Sequence, residues 1–455
     1  MTSNGGELVA AFVDPRPITR YQYKVIALCG LLMFLDGFDT QIISYAAPFI
    51  AKEWGLTRQV LGSVFSSALV GLMVGYLVIS PLADRFGHRP VIILGALGIG
   101  VFTLITGFVA SVDALLASRF LTGLALGSVI PSAIALTGEY TPKRLRASFV
   151  LAIYVGFSLG FVAAGVSAAW LIPVSGWRAL FWVGAAGPLV LAPLLFASLP
   201  ESIALMIRRG VGAERVLAVF RRMDPNVSAD AIPARHDAGL VTAAGAAPAA
   251  TLSPRASSAP LAAIFSGKLL VGTLLLWIVF AVNLGEFYAL QNWLPTILQS
   301  HGHALDVMVT VTTLTTIGGI IAAFIVGPAM DRLSAYGAVG VLYILGCVFL
   351  VALGFTMQAS LTALFVTSFC VGLCVSGGQK SVIALATIFY PSASRAAGLG
   401  WALGIGRIGG IAGPWLLGAM IGPTVSPVVL FSAMAVPMLV IGILVLVMGR
   451  MYGTD

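Results

Sequence analysis

The chain has 455 residues, of which 59% are hydrophobic and only 9% are charged, and its mean hydropathy is +1.02. Soluble globular domains carry roughly 25% charged residues, so this composition excludes an ordinary soluble protein and indicates a chain that crosses a membrane many times. The net charge of +8 is explained by the uneven placement of Lys and Arg described below, and it requires no nucleic-acid partner. Four cysteines, Cys29, Cys347, Cys370 and Cys374, show no metal or redox spacing and are interpreted as packing residues.

Apolar runs predict the secondary structure. A membrane-spanning helix needs about 20 apolar residues, and the sequence contains twelve such runs. We expect no cleavable signal peptide, because residues 1–24 are polar and the first run is too long for a signal core. The sequence therefore predicts an all-α membrane protein with twelve transmembrane helices. The predicted spans are 25–48, 60–80, 91–110, 114–138, 148–170, 179–199, 268–295, 307–328, 338–357, 361–389, 397–421 and 428–449.

Lys and Arg are distributed unequally between the two sides of these spans. With the N-terminus inside, nineteen of them fall in cytoplasmic loops and tails, and three fall in outer loops (Lys52, Arg58 and Arg178). Positively charged loops are retained in the cytoplasm. We therefore predict that both termini are cytoplasmic.

The first span contains FLDGFDT, residues 34–40, which places two carboxylates in an apolar run. Asp36 lies roughly 18 Å from Lys24 along a helix, near the bilayer midplane, and Asp39 follows one turn later on the same face. An ionised Asp at this depth costs on the order of 3 kcal/mol, and a bound proton removes the charge. The pair is thus predicted to carry protons, the alternative being a structural pair satisfied by hydroxyl groups. Gly37 between them would permit close packing or local unwinding.

Paired motifs indicate that the chain consists of two similar halves. SPLADRFGHRP (80–90) after the second span is echoed by GPAMDRLSAYG (327–337) after the eighth. EYTPKRLRAS (139–148) after the fourth span is echoed in the same way by FYPSASRAAG (389–398) after the tenth. Membrane transport proteins built from repeats bind their substrates near the midplane, between the repeats.

The predicted halves are residues 25–199 and 267–449, with tails at 1–24 and 450–455. They are separated by a polar cytoplasmic segment, residues 200–266. Its first part, 207–224, could form a basic amphipathic surface helix. Its Ala/Pro/Ser-rich part, 241–260, is typical of a flexible linker.

Three cations lie inside later spans. Lys380 and Arg407 are each about 17 Å deep by helical rise, level with Asp36, whereas Arg119 lies nearer the outer side. Arg offers a carboxylate two parallel N–H groups, and Lys offers a point charge. Each cation could therefore bind an anionic substrate or form an internal ion pair that only fixes helix packing. In the outer part of the seventh span, Glu286 could pair with a cation or line an outer vestibule.

We hypothesise that Lys380 pairs with Asp36 or Asp39. A carboxylate that arrived at the ammonium would release the aspartate, which would then bind a proton. Arg407 is the alternative partner for the carboxylate.

The motifs carry a family resemblance. SPLADRFGHRP resembles the loop signature of the major facilitator superfamily. More narrowly, the sequence resembles the aromatic acid:proton symporters in DGFDT (36–40), RFLTGLALGSVIPSAIALTGEYTPKRLRA (119–147), LPES (199–202), NWLPT (292–296), and GGQ followed by YPSASRAAGLGWALGIGRIGG (390–410). The chain departs from the family pattern at Ser80, where Gly is usual, in the loop after Arg332, and at Lys380, where a small residue is expected.

The resemblance implies a major facilitator fold with two pseudo-symmetric six-helix halves in a bacterial inner membrane. It further implies import of an aromatic carboxylate of the benzoate or hydroxybenzoate class with protons, by a monomer without a cofactor. The alternatives are a proton-coupled carrier of non-aromatic organic acids, a drug:proton antiporter, and a transport-derived sensor. GFSLGFVAAG (156–165) lacks the proline associated with antiporters.

Further residues are assigned by depth and by motif. Aromatic rings need flat apolar walls with a few polar contacts, which Trp401, Tyr154, Phe38, Asn283 and Gln379 could supply, although each taken singly is more often an ordinary packing residue. Predicted gating residues lie in the cytoplasmic motifs, where Arg85 and Arg89 could pair with Glu139. The gating set is Asp84, Arg85, Arg89, Glu139, Arg146, Asp331, Arg332 and Arg395.

Two weak patterns are set aside. GIGRIG (404–409) formally matches a dinucleotide-binding motif, but it lies in an apolar span, where glycines serve close helix packing. HGH (301–303) with Asp306 lacks further metal ligands. With no nucleophile paired to a base and no phosphate loop, we predict that the protein is not an enzyme and holds no metal.

Overall fold

The computed structural model describes residues 4–227, 265, 267–332, 334–391, 395–421 and 425–453, and within these ranges all regular structure is helical. A π-helical turn, Gly75–Ile79, joins α3 to α4. The helices are α1 (Asn4–Val13), α2 (Arg20–Trp54), α3 (Arg58–Val74), α4 (Ser80–Phe86), α5 (His88–Thr106), α6 (Val112–Glu139), α7 (Lys143–Ser175), α8 (Arg178–Ser198), α9 (Ile203–Arg208), α10 (Ala213–Met223), α11 (Lys268–Ser300), α12 (Leu305–Arg332), α13 (Ala335–Thr356), α14 (Leu361–Phe389), α15 (Arg395–Met420) and α16 (Pro427–Tyr452).

Twelve membrane-crossing segments are formed by these helices. In the described part of the chain, eleven stretches are long and apolar enough to span a bilayer, and one of them combines α3, the π-helical turn and the start of α4. The twelfth is α15, an apolar helix of 26 residues that contains many glycines and two arginines. It nevertheless packs lengthwise against α11 and α3 as a full-length helix. The prediction of an all-α, twelve-helix membrane protein is confirmed.

The two halves use the same helix pairings. In the first half, α2 packs on α7, α3 on α6, and α5 on α8. In the second half, the corresponding pairs are α11 with α15, α12 with α14, and α13 with α16. The halves meet along three further pairs, α2 with α11, α3 with α15, and α7 with α12.

The halves are joined more tightly at one end than at the other. We call the end that carries α1, α9 and α10 the linker side and the opposite end the far side. On the far side, Phe65 packs edge-on against Trp293 at 5.2 Å, and the Ser66 hydroxyl donates to the Ile411 carbonyl at 2.7 Å. One apolar core joins the far-side part of the first half to the second half. The linker-side part of the first half has a separate core. This arrangement closes the far side.

Gly37 lets α2 and α7 approach closely. The helix α2 runs unbroken from Arg20 to Trp54, so the glycine serves packing rather than unwinding. A Cβ at this position would lie 2.0 Å from the Phe157 carbonyl oxygen of α7. Only hydrogen fits there, because a backbone oxygen cannot move aside without shifting a helix.

We expect Gly37→Ala to lower the yield of folded protein severely, because α2 and α7 would have to separate beside Asp36. Gly30→Ala is a matched control on the same helix, since its Cβ would meet only Ile153 Cγ2 at an ordinary 3.7 Å. That control should be neutral or slightly stabilising, as Ala is the better helix former by about 1 kcal/mol. Yield and melting temperature of the purified protein measure both effects. Equal stability of the two variants would contradict the packing role.

The linker-side helices dock on the first half. Phe12 of α1 contacts Phe220 of α10, with ring centroids 4.0 Å apart, and Arg16 pairs with Asp224 at 3.1 Å. The hydrogen bond from Arg16 holds the pKa of the Asp224 carboxyl below its ordinary value. The N-terminal tail therefore contains an ordered helix, which its polar sequence did not indicate.

The prediction of a single surface helix over 207–224 is wrong in part. The chain forms α9 and α10 instead, and it breaks between them at Gly210, whose φ of 62° lies in the left-handed region. The apolar face of α10 is not solvated, because Val216 and Phe220 are buried in the linker-side core of the first half. The predicted flexible linker at 241–260 lies outside the described residues.

Candidate functional site

Asp36 lies buried in α2 and forms no ion pair among the residues that the structure describes. Its side chain is 2% exposed, and neither carboxylate oxygen has a hydrogen-bond partner of standard geometry among the described residues. The groups that act on it electrostatically are Asp39, Arg407 and the hydroxyl of Thr40. A buried and unpaired carboxyl is costly unless it is neutral or gains a partner, so this residue is available for a reaction with a proton or a cation.

Asp39 is occupied by a different set of partners. Its Oδ2 accepts a hydrogen bond from Arg119 Nη2 at 2.8 Å, and its Oδ1 accepts one from the Thr103 hydroxyl at 2.5 Å. The side chains of Asp39 and Arg119 are each only 1% exposed. Arg119 also donates to the backbone carbonyl of Asp39 at 3.2 Å. This closed network links α2, α5 and α6 within the first half.

The hypothesis that Lys380 pairs with an aspartate of α2 is not realised. Asp39 is paired with Arg119 instead, and the Lys380 ammonium donates to the Gly319 carbonyl of α12 at 3.0 Å. The described ion pairs include none between Lys380 and Asp36 or Glu286. Equal depth in two helices did not bring these residues together, because α14 turns this face toward α12.

Arg407 is the cation whose charge acts on Asp36. Its Nη1 donates to the Tyr288 hydroxyl at 3.2 Å, and its Nη2 donates to the Tyr76 hydroxyl at 3.3 Å. The guanidinium also lies 4.9 Å from the centroid of the Tyr76 ring. Tyr154 is near enough to act on the same guanidinium charge. Arg407 is thus held among three tyrosines.

These five residues, Asp36, Tyr76, Tyr154, Tyr288 and Arg407, form what we call the central site. It is built from α2, the π-helical turn and α7 of the first half and from α11 and α15 of the second. Tyr154 is 40% exposed, whereas Tyr288 is only 7% exposed. The site therefore combines a cation, an unpaired acid and aromatic rings where the two halves meet.

The other predicted substrate residues contact neighbours in their own half. Asn283 donates to the Tyr343 hydroxyl, and Trp401 stacks on Trp277 with centroids 5.7 Å apart. Phe38 is buried against α8 near Gly184. Gln379 is half-buried in α14. Glu286 lies in a separate cavity that is lined by α11, α15 and α16.

Tyr76 and Tyr288 were missed by the sequence reasoning. Tyr76 lies in an apolar run, where a single aromatic residue is usually a packing residue, and Tyr288 is only two positions from the more conspicuous Glu286. The position of Tyr288 two residues after an intramembrane acid was the only available signal. Nothing in the sequence around Tyr76 distinguishes it.

The predicted gating pairs differ from the contacts that are present. Glu139 accepts a hydrogen bond from the Ala204 backbone at 2.7 Å, and the Arg89 guanidinium donates to the Phe196 carbonyl. Arg85 is exposed. Glu139 therefore does not form the predicted pair with these arginines, because its carboxylate accepts a hydrogen bond from the backbone of α9 instead.

The acid that contacts the α4–α5 connection is Glu201, which belongs to the LPES motif between α8 and α9. Its Oε1 accepts hydrogen bonds from the backbone N–H groups of His88 at 2.8 Å and Arg89 at 3.2 Å, at the N-terminus of α5. A carboxylate is stabilised there by unpaired N–H groups and by the helix dipole. Arg146 is half-buried, and Asp331 and Arg332 are exposed. The side chains of Asp84 and Arg395 are outside the described set.

Comparison with known proteins agrees with this architecture. Residues 29–311 match the family model described as Major Facilitator Superfamily. The chain superposes on the inward open xylose transporter XylE from E. coli with a TM-score of 0.70 at 16% identity, covering 95% of this chain and 96% of that one. At that identity the likeness shows the fold alone.

Curated relatives are similar over nearly the whole chain. The 4-hydroxybenzoate transporter PcaK of Pseudomonas putida is 36% identical, covering 98% of this chain and 97% of that protein. The gallate transporter of Pseudomonas putida is 33% identical over 97% of this chain and 95% of that protein. The benzoate transport protein of Acinetobacter baylyi is 30% identical over 94% of this chain and 90% of that protein. The chain is therefore a transporter and not an enzyme, and it belongs to the major facilitator superfamily, in the family that contains these three proteins.

Proposed function

We propose that this protein imports an aromatic monocarboxylate of the benzoate or hydroxybenzoate class together with at least one proton, by alternating access. The observation that carries the proposal is Arg407, which is held among tyrosines from both halves and whose charge acts on the unpaired Asp36. The names of the relatives support the aromatic substrate class. Proton coupling rests on Asp36.

Arg407 is proposed to bind the substrate carboxylate. The planar guanidinium matches a carboxylate with two parallel hydrogen bonds, and its present partners are neutral tyrosine hydroxyls at 3.2 and 3.3 Å. An anionic oxygen is a stronger acceptor than a phenol, so the substrate would replace them. The rings of Tyr76, Tyr154 and Tyr288 would supply aromatic walls for the substrate ring.

Asp36 is proposed to carry the proton. In the absence of substrate, an ionised Asp36 is compensated in part by the charge of Arg407. A carboxylate bound to Arg407 removes that compensation, and Asp36 then takes up a proton to avoid an unpaired buried charge. Substrate and proton are thereby bound together. Entry of the anion alone would be opposed by about 2.3 kcal/mol per 100 mV of membrane potential, and the proton cancels that charge.

The closed far side is proposed to be the outer side. The excess of Lys and Arg in the predicted cytoplasmic loops supports a cytoplasmic position for the termini and the linker side. The structure would then correspond to a carrier open toward the cytoplasm. We propose that the protein resides in the bacterial inner membrane and functions as a monomer.

Uptake by proteoliposomes tests the proposal. With an imposed gradient that is acidic outside, radiolabelled 4-hydroxybenzoate should accumulate above the level in protein-free liposomes, which corrects for diffusion of the neutral acid. The amide analogue should neither be transported nor compete. A non-aromatic carboxylate that competes equally well would favour the organic-acid carrier. Proton-driven export of a lipophilic cation would favour the drug antiporter.

Lys380 should matter less than Arg407 for substrate binding, because its ammonium is anchored to the Gly319 carbonyl and is not part of the central site. We expect Lys380→Met to weaken binding of 4-hydroxybenzoate by less than about tenfold, or roughly 1.4 kcal/mol. Calorimetry on the purified variant measures this, and Lys380→Arg serves as the charge-conserving control. If Lys380→Met lost all binding of 4-hydroxybenzoate while Lys380→Arg still bound it, Lys380 would be the partner of the substrate carboxylate.

A further inference from the structure

Glu286 lines a cavity that is separate from the central site. The cavity has a volume of about 330 Å³ and is bounded by α11, α15 and α16. Apart from Glu286, its lining consists of Ala, Gly, Val, Leu, Met and Pro residues. Small-molecule sites are of this size or larger and combine apolar walls with a few polar groups.

In the described part of the protein, the carboxyl of Glu286 forms no ion pair and its Oε1 accepts no hydrogen bond. The residue is 6% exposed, and its buried Oε1 has no hydrogen-bond partner among the described residues. The ion pairs of the described chain do not include it, and no charged group there acts on it. A carboxyl left in this state is complementary to a cation from outside the chain.

The first half provides an internal comparison. Pro48 and Pro295 each lie nine residues after an acid, so an alignment on these prolines places Asp39 opposite Glu286. Asp39 is neutralised by Arg119. An alignment of Tyr140 with Tyr390 places Phe369 where the first half has Arg119. The second half therefore keeps the acid and lacks the arginine.

The cavity also has a route for a ligand. The first-half helices α7 and α8 pack against each other, whereas the described parts of α15 and α16 form no comparable contact. The cavity lies between these two helices, with α11 behind it. Two of its lining residues on α15, Leu416 and Met420, are 51% and 50% exposed. Since α15 and α16 are membrane-crossing helices, the mouth opens toward the hydrocarbon of the bilayer.

We propose that this cavity binds a lipophilic primary amine that enters from the bilayer, with its ammonium on the Glu286 carboxylate and its apolar body against α15 and α16. The ammonium would give Glu286 the positive charge that Arg119 gives Asp39 in the first half. The apolar walls favour a lipophilic amine over a hydrated metal ion or a small polar amine. This site lies on the α11–α16 side of α15, whereas the Arg407 guanidinium of the same helix points to Tyr76 and Tyr288.

Binding of 4-phenylbutylamine to the purified full-length protein, measured by calorimetry at pH 7, tests the proposal. The neutral control is 4-phenylbutan-1-ol, which has the same body without the charge. We expect the amine to bind wild type at least about tenfold more tightly than the alcohol, and we expect Glu286→Gln to remove this difference. Ala433→Leu, which fills the cavity from α16 and keeps the acid, should weaken both ligands. Melting temperature and size-exclusion profile establish that each variant is folded.

Three results would overturn the proposal. The first is an amine that does not bind wild type, or binds no better than the alcohol. The second is unchanged amine affinity in Glu286→Gln or in Ala433→Leu. The third is amine binding at the central site instead, seen as loss of amine binding in Asp36→Asn with Glu286 intact. None of these measurements uses the aromatic acid, so they are independent of the proposed transport function.

Discussion

Replacing Asp36 with Asn should abolish proton-driven accumulation of the aromatic acid while leaving exchange of substrate across the membrane. An amide has nearly the shape of a protonated carboxyl but cannot release a proton, so the variant would resemble the permanently protonated carrier. Uptake of radiolabelled 4-hydroxybenzoate with an imposed pH gradient should fall to the level of protein-free liposomes. Counterflow, measured with unlabelled substrate inside and no gradient, should persist.

Asp39→Asn is the informative comparison. Asp39 is the neighbouring acid of α2, but it belongs to a different network, with Arg119 and Thr103. Removing this carboxylate leaves the charge of Arg119 buried and unpaired, which typically costs 3–5 kcal/mol. We expect loss of folded protein rather than uncoupling. Asp39→Asn combined with Arg119→Met removes both charges and should recover much of the yield. If Asp36→Asn still accumulates substrate against a gradient, Asp36 is not the proton carrier.

Replacing Arg407 with Met should eliminate measurable binding of the aromatic carboxylate. Truncating one member of a buried charge pair costs about 2–5 kcal/mol or more, which corresponds to a loss of about thirtyfold or greater in affinity. Arg407→Lys should keep part of the affinity, since it retains the charge but offers no planar pair of N–H groups. Calorimetry with 4-hydroxybenzoate and its amide measures both effects.

Tyr288→Phe is the matched control for Arg407. It removes the hydroxyl that accepts from Nη1 and keeps the ring, so the guanidinium is freed without loss of an aromatic wall. Carboxylate affinity should then stay within several-fold of wild type or increase. Undiminished binding by a folded Arg407→Met variant would show that another cation, with Lys380 first in line, holds the substrate carboxylate.

Much of the fold followed from composition and periodicity. Twelve apolar runs predicted the twelve spans, because a bilayer demands length and apolarity that chance rarely supplies. The internal motifs predicted two halves, and the helix pairings repeat accordingly. The helices of the linker side were harder to predict from the sequence. An apolar face on α10 is visible in the sequence, but whether it meets water, lipid or protein depends on where α1 and the ends of α2 and α6 lie.

The central site was predicted only in part. Helical rise predicted one level for Asp36 and Arg407, which agrees with the action of Arg407 on Asp36, because depth is a property of one helix. Which acid meets which cation depends on the rotation of helices far apart in sequence. Asp36 and Asp39 are three residues apart, or about 60° around the helix. That angle directs Asp39 toward Arg119 and Thr103 and leaves Asp36 toward Arg407.

The apolar core that closes the far side has a thermal consequence. In the proposed alternating access, opening of the far side separates surfaces such as those of Phe65 and Trp293, which then become hydrated. Hydration of apolar surface raises the heat capacity, and the attraction between such surfaces weakens on cooling. Lower temperature should therefore shift the resting population toward the far-side-open conformation, and an Arrhenius plot of transport should be curved rather than straight.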